Sequence, residues 1–105
     1  MRLNDYAKEI HANAVRHGWW DKERSFGEIV ALCHSELSEA LEAARNKESD
    51  LWYNDDKPEG VAVEMVDCII RILDWFGEQG IDPEPVMKEK MAYNETRPYK
   101  HGKDF

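Results

Sequence analysis

The chain has little cysteine, no long apolar run and no excess of positive charge, and each shortage excludes a class of protein. Two cysteines among 105 residues cannot form the bridges of a small secreted domain, so we expect reduced thiols and a cytoplasmic location. The polar start, Met1 to Ile10, is not typical of a signal peptide. No apolar run approaches the roughly 20 residues that span a bilayer, so no membrane association is expected. A formal net charge of −8 argues against a polynucleotide partner, because phosphate backbones are bound by basic surfaces.

The segment from Ser25 to Arg45 has the pattern of an amphipathic helix with acidic residues in an unusual place. Ser25 and Glu28 have the spacing of a capping box, in which each side chain satisfies a backbone N–H of the first turn. Apolar residues then recur at three- and four-residue steps: Phe26, Ile29, Val30, Cys33, Leu37, Ala40, Leu41 and Ala44. At about 100° per residue, Glu36 falls on the border of that stripe and Glu39 lies about 60° further round. Both carboxylates are therefore expected at the edge of a packed interface.

A second acidic pair, Glu64 and Asp67, repeats this three-residue spacing inside an apolar helical segment, Gly60 to Gly77. If the two helices pack antiparallel, four carboxylates can converge on one point. Carboxylates that close together repel each other, and burial raises their pKa values, unless a cation lies between them. All-oxygen ligation favours Mg²⁺ or Mn²⁺ over zinc, which prefers nitrogen and sulfur.

A first helix is predicted from Leu3 to His17, and Gly18 supplies the residue that ends it. Two adjacent tryptophans, Trp19 and Trp20, open the connector that follows. Because neighbouring side chains in a connector cannot both face the core of one helix, we expect at least one of them to line a cleft or an interface.

The segment from Asn46 to Lys57 is polar and irregular, and long irregular segments in small domains tend to be functional or mobile. Asp56 and Glu59 repeat the capping-box spacing, and Pro58 suits the first turn of a helix. The helix that carries Glu64 and Asp67 is therefore predicted to start near Glu59 and to end around Gly77 to Gly80.

A fourth helix is predicted from Asp82 to Tyr93 or Asn94, followed by a basic tail from about residue 95 to 105. No β-strand is predicted. The expected fold is one all-α domain spanning residues 1–105, a bundle-like protomer of four to five helices. Because its helices are too apolar for so short a chain to cover, we expect oligomerisation to complete the bundle, as a homodimer or homotetramer.

The two acidic pairs, separated by 24 residues, resemble the signature of the MazG-like all-α nucleoside triphosphate pyrophosphohydrolases. Relatives of that family include dimeric dUTPases, dCTP pyrophosphatases and phosphoribosyl-ATP pyrophosphohydrolases. The resemblance spans roughly Gly18 to Lys103. It is also carried by the following stretches: Gly18-Trp19-Trp20, His34 to Glu42, Lys90-x-x-x-Asn94-x-x-Arg97, and Pro98 to Lys103.

The resemblance implies a Mg²⁺-dependent enzyme that cleaves a nucleoside triphosphate between its α- and β-phosphates, giving the monophosphate and pyrophosphate. The metal ligands and catalytic residues it implies are Glu36, Glu39, Glu64 and Asp67. The triphosphate ligands it implies are Lys90, Asn94 and Arg97, with Lys100, His101 and Lys103 as a flap. For the base, the similar dCTP-cleaving enzymes use aromatic residues and a first-helix histidine, which match His11 with Trp19 or Trp20 here.

Several alternatives stay open at this stage. Either Glu39 or Glu36 could accept the proton of the attacking water. The number of metal ions lies between one and three, and the base and sugar preference depends on the pocket. The competing hypothesis is a non-catalytic helical module whose acidic stripe serves dimerisation or protein binding. Such a module would gain no stability from Mg²⁺, whereas a preformed metal site would.

Overall fold

The computed structural model describes residues 1–103, apart from the side chain of His101, and this part of the chain is mostly helical. Its elements are α1 Leu3–Arg16, α2 Phe26–Arg45, β1 Trp52–Asn54, β2 Lys57–Glu59, α3 Val61–Gln79, α4 Pro83–Glu95 and a 3₁₀ turn at Tyr99–Gly102. The predicted all-α class is confirmed. None of the helices within residues 1–103 is both long and apolar enough to cross a membrane.

Local signals set most of the helix ends. The hydroxyl of Ser25 accepts a hydrogen bond from the Glu28 backbone N–H at 3.1 Å, and the Glu28 carboxylate reaches back to the Ser25 N–H, which confirms the capping box. Asp82 caps α4 by accepting from the Glu84 N–H at 3.0 Å. Gly80 ends α3 with a left-handed φ of 69°, a conformation that glycine adopts without steric cost.

The segment before α3 differs from the prediction in two ways. The described chain contains an antiparallel hairpin of β1 and β2, where no strand was expected. Pro58 and Glu59 lie in its second strand, so the predicted capping box with Asp56 is wrong, and α3 begins after Gly60 instead. Gly60 has a φ of 123°, and a Cβ there would overlap the backbone oxygens of Ser49 and Asp50. This close approach fixes where the hairpin ends and the helix starts.

The helix α3 lies at the centre of the fold, between α1 and α2. Phe26, at the start of α2, packs at a tilt against Trp75 near the end of α3, with ring centroids 5.7 Å apart, so the two helices run antiparallel as expected. The helix α1 approaches α3 very closely at Gly77, where an added Cβ would lie 2.7 Å from the backbone oxygen of Ala7. These two contacts place one side of α2 and one side of α1 over the same stretch of α3.

Few apolar side chains are buried in the protomer, and most of them are small: Ala7, Ala40, Ala43, Cys68 and Leu73. Much of the predicted apolar stripe of α2 is exposed, with 63% of Phe26 and 53% of Leu41 accessible. An apolar groove of about 370 Å³ runs between α2 and α3 on this side, and Leu37, Ile72 and Trp75 line it. The side of α2 that packs inside the protomer instead carries Glu36, which is only 7% exposed.

Candidate functional site

Three carboxylates from α2 and α3 lie close together where the two helices pack against each other. Oxygen atoms of Glu36, Glu64 and Asp67 all lie within 4.8 Å of one another. The three-residue spacing puts Glu64 and Asp67 on one face of α3, and the antiparallel packing of α2 brings Glu36 onto that face. The structure therefore brings together residues of both acidic pairs that the sequence singled out.

Glu39, the fourth predicted acid, is exposed and lies beside Glu64. Burial, a hydrogen bond with the Glu39 side chain and the negative charges of Glu39, Asp67 and Glu36 together raise the pKa of Glu64 to about 7. The Oε2 atom of Glu64 is buried and has no hydrogen-bond partner among the described residues. A buried carboxylate oxygen without a donor is costly, and a bound cation is one way to satisfy it.

Arg71 is a member of this site that the sequence analysis did not single out. Its Nε donates a hydrogen bond to Oε1 of Glu36 at 2.7 Å, so one oxygen of that buried carboxylate is held by a charged donor. The available signal was its position on α3, four residues after Asp67 and seven after Glu64, which places all three on one face. That spacing alone is equally typical of a solvated helix face.

A cleft of about 410 Å³ opens beside the acids, between α1, the α1–α2 connector and α3. Its polar lining comes from Asn13, His17, Glu36, Asp67, Arg71 and Asp74, and its apolar lining includes Trp19, Ile10 and Ile70. A concave site with one aromatic wall and a few convergent polar groups is the usual form of a small-molecule site. Of the three residues predicted to bind a base, Trp19 alone lines this cleft among residues 1–103.

The other two predicted base ligands, His11 and Trp20, are engaged in contacts within the protein. His11 lies 2.8 Å from Asp74 through Nδ1 and 3.1 Å from Glu78 through Nε2. The indole Nε1 of Trp20 donates to both oxygens of Asp74 at 3.1 Å. The two rings also pack edge to face, with centroids 5.5 Å apart. These contacts link α1, the connector and α3, and we call the cluster of His11, Trp20 and Asp74 the brace at Asp74.

The predicted triphosphate ligands lie on α4 and in the segment that follows it. The cationic groups of Lys90 and Arg97 lie 5.0 and 5.6 Å from the ring of Tyr93. The side-chain oxygen of Asn94 is buried without a partner in the described chain. Lys100 and Lys103 are exposed, and the His101 side chain lies outside the described residues. None of the described basic side chains of this segment pairs with Glu36, Glu39, Glu64 or Asp67.

No protein-family model, no curated protein and no solved structure matches the chain. The resemblance to the MazG-like enzymes therefore stands on the residues quoted above.

Proposed function

We propose that this chain is a Mg²⁺-dependent nucleoside triphosphate pyrophosphohydrolase of the MazG-like kind, which releases a nucleoside monophosphate and pyrophosphate. One observation supports this above the others. Carboxylates from the two separate acidic pairs converge at the mouth of a cleft large enough for part of a nucleotide, and one of their oxygens is buried without a partner.

The residues at the cluster fit a divalent metal ion. Their ligand atoms are all carboxylate oxygens, which suits Mg²⁺, with Mn²⁺ as a substitute. Glu36, Glu64 and Asp67 would hold the ion, and Glu39 stands beside them. When bound, such an ion neutralises charge on the triphosphate and lowers the pKa of a water molecule.

The other steps, which are proton transfer, base binding and phosphate binding, would be carried out by different side chains. Glu39 is the better proton acceptor of the two candidates, because it is exposed whereas the Glu36 carboxylate is buried and bonded to Arg71. The ring of Trp19, which lines the cleft and is 43% exposed, can contact a nucleobase where the guanidinium groups of Arg24 and Arg71 leave it uncovered. Lys90, Asn94, Arg97, Lys100, His101 and Lys103 stay candidate phosphate ligands in an assembly that brings α4 and the tail to a cleft.

We also infer that the protomer associates with copies of itself, as a homodimer or homotetramer. The groove between α2 and α3 is lined almost wholly by apolar side chains, and several of them, including Phe26 and Leu37, are largely exposed. Large contiguous apolar patches are rare on monomeric proteins. The same patch favours the second candidate function, a non-catalytic dimerisation or protein-interaction module.

The two candidates are separated by incubating the purified chain with a panel of NTPs and dNTPs and Mg²⁺, and measuring pyrophosphate and monophosphate. The hydrolase proposal predicts release from at least one nucleotide, abolished by EDTA and by Glu36→Gln. Glu9→Gln, on the exposed side of α1, is the matched control and is expected to keep full activity. Failure to release pyrophosphate from any nucleotide, with no effect of Mg²⁺ on thermal stability, would leave the interaction module as the better description.

A further inference from the structure

The guanidinium of Arg71 is held between the buried acid of α2 and the aromatic wall of the cleft. On one side its Nε donates to Glu36 at 2.7 Å. On the other its Cζ lies 5.0 Å from the ring centre of Trp19, within cation–π distance. With 24% of the side chain exposed, Arg71 is partly covered but still borders the cleft. Two contacts from different elements therefore fix its orientation before any ligand binds.

Most of the hydrogen-bonding capacity of this guanidinium is unused. Arginine carries five N–H donors, and the bond to Glu36 uses the one on Nε. In the described chain, Nη1 and Nη2 donate to no other group. A paired terminal fork of this type matches the oxygens of a phosphate group, in both geometry and charge.

The charges that line the cleft also favour Arg71 as the group that binds an anion. Glu36, Asp67 and Asp74 line it, and Arg71 is the single lysine or arginine among residues 1–103 that does so. The lysine and arginine side chains of α4 and of the described tail do not line this cleft within the protomer. An anionic ligand here therefore needs positive charge from a metal ion at the acids, from Arg71, or from both.

We propose that Arg71 is a substrate-binding residue of this site, which holds Glu36 through Nε and binds a phosphate oxygen of the nucleoside triphosphate through Nη1 and Nη2. The assignment rests on the proposed function, because it names the group that would recognise the substrate's phosphates next to the metal ligands. The guanidinium group of Arg71 would then bridge the buried Glu36 carboxylate and the bound phosphate. Substrate binding and the position of Glu36 are then coupled through a single side chain.

The test compares Arg71→Met and Arg71→Lys with the unchanged chain, using whichever nucleotide is hydrolysed best, at saturating Mg²⁺. Arg71→Met is expected to raise the KM for the nucleotide about tenfold or more, with a smaller change in kcat. It should raise the inhibition constant of inorganic tripolyphosphate by a similar factor, since both ligands offer the same phosphate oxygens. Arg71→Lys should recover part of both losses, because lysine keeps the charge but lacks the fork. Arg45→Met, at the exposed end of α2, is the matched control.

Each other outcome overturns the inference in its own way. A raised nucleotide KM with unchanged tripolyphosphate inhibition would mean that Arg71 contacts the nucleoside and not the phosphates. Unchanged values for both ligands would make Arg71 a purely structural partner of Glu36. Thermal melting checks that each variant is folded, and Arg71→Lys carries the test if Arg71→Met does not fold. If the unchanged chain hydrolyses no nucleotide at all, the proposed function fails and this assignment fails with it.

Discussion

The two sides of α2 differ in a way that the usual pattern of an amphipathic helix does not explain. The side that packs within the protomer presents Glu36, which is nearly fully buried and bonded to Arg71. The side that carries Phe26, Leu37 and Leu41 is largely exposed. Ala40 and Ala43 are also buried on the inner side, but hydrophobicity alone would bury the larger apolar side chains of the outer side before a glutamate. The two proposals account for this difference, with the inner side as part of a metal site and the outer side as an interface with a second copy of the chain.

The largest effect is expected at the acidic cluster that Glu36 forms with α3, from the substitution Glu64→Gln. We expect a loss in turnover of about 100-fold or more, because the change removes a direct metal ligand while keeping the shape of the side chain. The metal-free protein should be no less stable at pH 8, since the amide removes a charge that burial and three neighbouring acids disfavour. Pyrophosphate release and thermal melting in EDTA measure the two effects. Strong activity in this variant would contradict the metal-site assignment.

The outer side is tested by Leu37→Glu, which places a charge in the apolar groove between α2 and α3. The residue is already exposed in the protomer, so the variant should fold, but its assembly should dissociate because an unpaired charge would be buried at the interface. Light scattering coupled to size-exclusion chromatography should show the mass falling to that of one chain. Val15→Glu, an exposed apolar site on α1, is the control and should leave the mass unchanged. A monomeric unchanged chain would overturn the oligomer proposal.

A smaller effect, the pH dependence of Mg²⁺ binding, tests the same acidic cluster. The pKa of Glu64 is raised from 4.5 to about 7, so its protonated form is favoured by folding. Its contribution to the stability of the metal-free protein is complete below about pH 4.5 and is lost as the pH rises through about 7. Mg²⁺ must displace this proton at pH 6 but not at pH 8. The apparent Mg²⁺ affinity should therefore be about tenfold higher at pH 8, because one proton is exchanged.

Calorimetric titration with Mg²⁺ at the two pH values measures this difference. In Glu64→Gln the difference should largely disappear, which separates this residue from the other three acids. Equal Mg²⁺ affinity at pH 6 and pH 8 in the unchanged chain would contradict the assignment of the proton to Glu64.

The sequence predicts the structural features that depend on neighbouring residues along the chain. The capping box of Ser25 and Glu28, the end of α1 at Gly18 and the spacing of the acidic pairs all follow from local chemistry, and the structure contains each of them. The hairpin was missed because Asp56, Pro58 and Glu59 fit a helix start equally well. The close contact of Gly60 with the backbone before the hairpin decides between the two, and it is not local.

The site was predicted less completely than the fold. Arg71 is recognisable as a member of the site only when the register of α2 against α3 is known, because its partner Glu36 is 35 residues away. The resemblance assigned His11 with Trp19 or Trp20 to base binding, a role that needs side chains at the cleft. Asp74, one turn beyond Arg71 on α3, binds His11 and Trp20 instead. Contacts of this kind depend on helix packing, which periodicity does not specify.

The brace at Asp74 has a consequence for the ring next to it. Anchoring the indole of Trp20 ties the connector to α3, and the guanidinium groups of Arg24 and Arg71 lie over the ring of the adjacent Trp19. A planar wall is thereby set in place before a ligand arrives. Association then loses less conformational entropy, since that ring has little freedom left to give up.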